Sequence, residues 1–196
     1  GWCPVDHFPV PRDVLAFFPY WHWRVPDAVI KSGRAVGFHP TPLPWGRGGS
    51  PIQNLIMLGR RKTVLTMYRM DGEMDAGPVY GQAPLPLGGS ALEIYLRLAG
   101  LAGRMAADLA LTEGMYGALP YPVPQRQADQ ETDVVFSRRR PHDSEVRSID
   151  GLSYDFVRML DAPWIQRAYM VTPGRWYEFS GADREGHGRA WSCTAV

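Results

Sequence analysis

Two uninterrupted apolar runs, Val14-Leu15-Ala16-Phe17-Phe18 and Ala35-Val36-Gly37-Phe38, do most to limit what this chain can fold into. A strand with one wet face alternates apolar and polar residues, whereas an unbroken run implies a strand covered on both faces. Helices supply that cover, and a helical segment does separate the two runs. Pro26 to Ser32 reads as a short helix stopped by Gly33. The pattern predicts an α/β fold with a mainly parallel sheet.

The later segments fit the same scheme. Ser50 followed by Pro51 and Gln53 has the form of a capping box with proline at the first helical position, and Gly59 is placed to end that helix. Thr63 to Tyr68 is rich in β-forming residues and predicts a third strand, with a weaker fourth at Val79–Gln82. Ser90-Ala91-Leu92-Glu93 is a second capping box, opening a long helix with Tyr95, Leu98, Ala102, Met105 and Leu109 on one stripe. That stripe is core. Prolines 120, 122 and 124 mark the end of the first unit. Residues 1–136 are thus expected to form the main domain and 137–196 a small α+β appendage. The appendage has a helix near Tyr154–Leu160 and strands around Ala168–Val171 and Trp176–Phe179.

Charge and cysteine usage narrow the function classes. Lys and Arg number 21 against 20 Asp and Glu, a net charge of +1, so no clustered basic field points to nucleic acid. Arg138-Arg139-Arg140 is the densest basic run and reads as a solvated loop. The two cysteines, Cys3 and Cys193, have neither metal-ligand spacing nor a disulfide framework. No apolar run approaches the roughly 20 residues of a membrane span, and no signal peptide is visible. A cytoplasmic chain with reduced thiols and no membrane partner is the expectation.

The segment from Phe38 to Gly77 carries the chemistry. His39 ends a buried strand, where α/β sheets open their ligand crevices. A loop stiffened by Pro40, Pro42 and Pro44 leads through Trp45-Gly46-Arg47-Gly48-Gly49 to a helix N-terminus able to polarise a carbonyl. Asp71, Glu73 and Asp75 crowd the loop after the third strand, at the same end of the sheet. A His and an Asp so placed suit proton transfer or oxyanion stabilisation. A hydrogen-bonded structural His and a solvated acidic turn would leave the same trace. Tyr20-Trp21-His22-Trp23 reads equally well as a stacking wall and as packing at a domain edge.

Phe38-His39-Pro40-Thr41-Pro42-Leu43-Pro44, then Arg47-Gly48 and Ser50-Pro51-Ile52-Gln53, resembles the signature of the folate-dependent formyltransferases. Met70-Asp71-Gly72-Glu73-Met74-Asp75-Ala76-Gly77 is similar to the same family's Met-Asp-x-x-x-Asp-x-Gly segment. Arg139, Arg140, Pro141, Asp143 and Ser144 resemble a segment of its sugar N-formyltransferase branch. The resemblance implies a Rossmann-like catalytic domain, N-terminally short. It implies transfer of a formyl group from N10-formyltetrahydrofolate, with no metal, to a primary amine such as a nucleotide-linked amino sugar. His39 and Asp75 would be catalytic. Pro40, Leu43, Arg47, Met70, Asp71 and Met74 would bind the donor, and Tyr20, Trp21, His22 and Gln53 the acceptor.

Two departures accompany the resemblance. The family places an Asn two residues before the His, where it donates to the formyl oxygen, and here that position is Gly37. Losing one such donor costs about 3 kcal/mol, so His22, Asn54, a backbone N–H or a water must take over. Otherwise the chain is an impaired folate-binding homologue or a formyl-folate hydrolase. The family also begins with further β-α units, without which a sheet edge is open, and a homodimer is one way to cover it.

Overall fold

The computed structural model describes residues 11, 13–129, 133–183 and 190–195; Cys3 lies outside them. The described chain divides into two compact units. The first takes residues up to Gly48, Thr63–Leu85 and Leu98–Phe136. Its sheet has the order β1-β2-β4-β5. These strands are β1 (Ala16–Phe18), β2 (Ala35–His39), β4 (Lys62–Arg69) and β5 (Val79–Pro86), with α1 (Asp27–Lys31) between the first two.

The α/β architecture matches the sequence expectation, but the sheet is mixed. β1 and β2 run parallel, whereas β4 runs antiparallel to β2 with Gly37 opposite Tyr68 and His39 opposite Thr66. Burial of both faces is a property of position and leaves strand direction open. β2 is buried along its whole length, while β1, at one end of the order, is only half-buried before Phe18. A small core beside it joins Phe18, Val25, Val29 and Ala35, with Trp21 and Met70 packed on its margin.

Two short pieces absent from the sequence reading matter for the site. β3 (Arg47–Gly48) pairs in parallel with β6 (Val135–Phe136) and thereby fixes the loop that follows His39. The long helix α3 (Ala91–Tyr116) buries Leu98, Ala102 and Leu109, as its stripe predicts.

The second unit holds residues Gly49–Lys62, Pro86–Arg97 and Ser137–Val196. It contains α2 (Pro51–Met57), the first turns of α3, α4 (Tyr154–Arg158) and an antiparallel sheet β7-β8-β9. β7 is Ala168–Thr172, β8 Arg175–Asp183 and β9 Ala190–Ala195. Ile52, Leu55, Ile56, Ile94, Val157, Leu160 and Phe179 form its apolar interior. Arg158 is buried among them with two of its nitrogens paired: Nε donates to Asp155 at 2.6 Å and Nη1 to the carbonyls of Leu87 and Gly89 at 2.7 and 2.8 Å, while the buried Nη2 has no partner among the described residues.

One local prediction fails and its twin succeeds. At α3 the Ser90 hydroxyl accepts from the Glu93 N–H and the Glu93 carboxylate accepts from the Ser90 N–H. At α2 the same spacing makes no box. Ser50 takes the left-handed conformation (φ 47°), its hydroxyl accepts from the Arg139 N–H, and Gln53 is turned inward.

Candidate active site

His39 is the last residue of β2, and the strand's burial leaves its side chain 7% exposed. The loop beyond it is tied down at every turn. The Pro40 carbonyl accepts from Thr63 Oγ1 at 2.9 Å, and the Thr41 carbonyl from Thr66 Oγ1 at 2.5 Å. Gly46, at φ 75°, turns the chain so that its carbonyl accepts from His39 Nε2 at 2.7 Å. Its N–H donates to the Val134 carbonyl at 2.8 Å.

Asp75 approaches from the loop after β4. It adopts φ 54°, a left-handed conformation that Asp tolerates better than most residues but that needs holding. Three residues hold it. Tyr68 donates its hydroxyl to Asp75 Oδ1 at 2.8 Å, and the Gly48 N–H donates to Oδ2 at 3.0 Å. Gln125 donates to the carbonyls of Asp75 and Gly77 at 2.9 and 2.8 Å, and accepts from Arg47 at 2.8 Å. Gly77 lies so close to the Arg69 carbonyl that no side chain fits there.

The result is a carboxylate aimed at an imidazole. Asp75 Oδ2 stands 3.5 Å from His39 Nδ1, with the Asp75 side chain 13% exposed. That separation is an electrostatic pairing rather than a hydrogen bond, a spacing common where a site closes only on its ligand. Burial, and then the Asp75 charge, push the Tyr68 phenol well above its ordinary range, so it remains a donor. A hydrogen-bonded carboxylate beside a buried imidazole can move a proton and offer an N–H to a developing oxyanion.

No protein-family model matches the chain. Among solved structures, methionyl-tRNA formyltransferase from Clostridium thermocellum is 33% identical, with a TM-score of 0.80, over 92% of this chain and 76% of its own. The chain belongs to the folate-dependent formyltransferase family. A methionyl-tRNA formyltransferase from Chelativorans sp. is 29% identical over 171 residues, 82% of this chain. The chain spans about half (49%) of that relative's length. A sugar N-formyltransferase from Shewanella sp. shares the fold at 18% identity, with a TM-score of 0.59 over 80% of this chain and 64% of its own.

Several residues that the formyltransferase motifs single out gather around His39 and Asp75. Pro40, Leu43 and Arg47 lie on the loop after His39, with Pro40 and Leu43 buried and Arg47 reaching Gln125. Met70 packs against the small core, whereas Asp71 is exposed and caps the Glu73 N–H at 3.0 Å. Met74 is 64% exposed. Of the residues expected on the acceptor side, Trp21 packs edge-on against Phe18 and the His22 ring lies tilted against Trp23 at 3.8 Å. Tyr20, at φ 56°, lines an apolar cavity of about 180 Å³ with Phe17, Phe38 and Ala102. Gln53 belongs to the second unit, buried and donating to the Tyr95 hydroxyl and the Met159 carbonyl at 3.3 Å each. Asn54 is likewise engaged, with the Gly49 and Ser137 carbonyls.

Tyr68, Gly48 and Gln125 were not singled out by sequence. Gly48 and Gln125 reach Asp75 from 27 and 50 residues away, and Tyr68 depends on its cross-strand seat over Gly37; only the motif glycine carried any local signal. Gln125 also borders an open cleft of about 440 Å³ with Leu43, Pro44, Tyr80 and Gln82. Among the described residues no group of three or more His, Cys, Asp or Glu is placed to hold a metal.

Proposed function

We propose that this chain carries the catalytic centre of an N-formyltransferase acting from N10-formyltetrahydrofolate on a primary amine. The observation that carries the reading is the fixed Asp75–His39 pair within the family's two motifs. The donor supplies an activated formyl carbonyl. Attack by an amine puts negative charge on its oxygen and leaves a proton to be removed from the attacking nitrogen. His39, buried and backed by the Asp75 charge, offers that oxygen its Nε2–H, which it hands over from the Gly46 carbonyl when the donor binds. Asp75 orients the imidazole and takes part in moving the proton to the leaving nitrogen. The apolar and backbone groups along Pro40–Leu43 and Met70–Met74 suit a flat heterocycle, with Arg47 fixed by Gln125 as the nearby cation.

For the acceptor, a nucleotide-linked amino sugar fits the near-neutral chain and the Arg139–Ser144 segment. The fold shared with a sugar N-formyltransferase is compatible with it. A second acceptor, methionyl-tRNA, is favoured by the 33% identity to a methionyl-tRNA formyltransferase. Each presents a primary amine to the formyl carbon.

The test is tetrahydrofolate release from N10-formyltetrahydrofolate, alone, with a panel of nucleotide-linked amino sugars, and with methionyl-tRNA. Amine-dependent release that falls about a hundredfold or more in His39→Ala supports the transferase. Donor binding with no release from any amine would overturn it in favour of an impaired homologue. Release independent of every amine would instead mean a hydrolase.

A further inference from the structure

The sequence leaves Gly37 without a purpose that its backbone explains. Its φ lies outside the left-handed range that favours glycine, so its conformation is open to any residue. Its surroundings are not. A Cβ built at Gly37 would fall 2.6 Å from Tyr68 Cζ and 2.8 Å from the Tyr68 hydroxyl. Glycine is therefore required for what lies over it: the phenol ring of its register partner on β4.

The ring is held there to reach Asp75. Tyr68 is 5% exposed, and its hydroxyl lies 2.8 Å from Asp75 Oδ1. Asp75 Oδ2 meets the Gly48 N–H on one side and His39 Nδ1 on another. A carboxylate gripped at both oxygens cannot rotate, and the phenol supplies one of the two grips. Its single proton is committed, because a carboxylate can only accept. Tyr68 thus cannot at the same time donate to a substrate oxygen; it acts through Asp75.

We propose that Tyr68 is a positioning residue that reaches across Gly37 to lock Asp75 against His39. Gly37 and Tyr68 form one device split between neighbouring strands. The kinetic part of this proposal rests on the transferase reading of His39 and Asp75, whereas the spectroscopic part does not.

The first experiment is nitrogen NMR of the His39 imidazole in the unsubstituted protein and in Tyr68→Phe, which keeps the ring over Gly37 and removes only the hydroxyl. The expected result is a changed His39 tautomer and protonation signature with unchanged far-UV circular dichroism. An unchanged signature would overturn the proposal, whether or not formyl transfer is detected. Gly37→Ala, which removes no polar group but drives the ring away, is expected to give the same His39 change.

In the unsubstituted protein, the Tyr68 ring carbon bearing the hydroxyl should stay that of a neutral phenol past about pH 11, above an ordinary tyrosine. Titration with the other tyrosines would count against a committed proton. For formyl transfer, Tyr68→Phe is expected to lower kcat roughly ten- to a hundredfold with KM for the donor unchanged. In an Asp75→Asn background the same substitution should do nothing further. A full additional loss there would show that Tyr68 does not work through Asp75.

Discussion

Gly48 shows how much a single missing side chain decides in this site. At φ 102° it lies where L residues are strained, and a Cβ would sit 2.3 Å from the Phe136 carbonyl. The same residue donates the N–H that holds Asp75 Oδ2. Gly48→Ala is expected to cost about 3 kcal/mol or more, since backbone strain and a backbone clash add. A urea unfolding midpoint would measure this, and a shift under about 0.5 kcal/mol would show that the β3–β6 pairing is softer than its geometry. Gly77 is tighter still against the Arg69 carbonyl. These constraints are visible in sequence only as the glycines of two motifs, because what they avoid is backbone more than sixty residues away for Gly48 and eight away for Gly77.

Among the elements, the helix starts best separate local from tertiary control. Ser90 and Glu93 cap α3 reciprocally, and Ser90→Ala is expected to destabilise the protein by about 1 kcal/mol in thermal unfolding. The carboxyl of Glu93 is held below its usual range, first by the Ser90 N–H and then by the Ser90 hydroxyl. A lowered folded-state pKa contributes stability that is present above the unfolded value and lost as pH falls through the folded one. The penalty of Glu93→Gln should therefore be present at neutral pH and fade in acid, as unfolding across a pH series would show. A penalty independent of pH would mean the carboxylate charge plays no part. At α2 the same Ser-x-x-Gln spacing is overruled. The Arg139 N–H claims Ser50, and the Tyr95 hydroxyl and Met159 carbonyl claim Gln53. A capping box needs its side chains free to turn back on the helix, and tertiary partners took both.

At the scale of the whole molecule, the charge balance makes a prediction about the acceptor. With a net charge of +1, transfer to a small amine should change little between 50 and 200 mM salt. Transfer to methionyl-tRNA should fall steeply over the same range, because phosphate contacts release counterions. Steady-state rates at several salt concentrations distinguish the two. Tetrahydrofolate, if it binds the folded chain alone, should raise stability by about 2.7 kcal/mol at a hundredfold excess over its Kd. An unmoved melting temperature under those conditions would count against the donor site. No helix among the described residues is long and apolar enough to cross a membrane.

The sequence by itself determined most of the strands and helices, and it placed His39 and Asp75 in motifs at one end of a sheet. Unbroken apolar runs, helical stripes and the Ser90 box are local patterns, legible because neighbours in sequence are neighbours in space. Only the tertiary structure decided that β4 runs antiparallel to β2, since burial constrains faces and not direction. It alone added β9 to the second sheet and the two-residue β3–β6 pair to the first unit. It also brought Tyr68 over Gly37 and onto Asp75, because register pairs residues 31 positions apart. The groups proposed to react stand in local motifs, whereas their aim depends on packing between segments that the chain holds far apart.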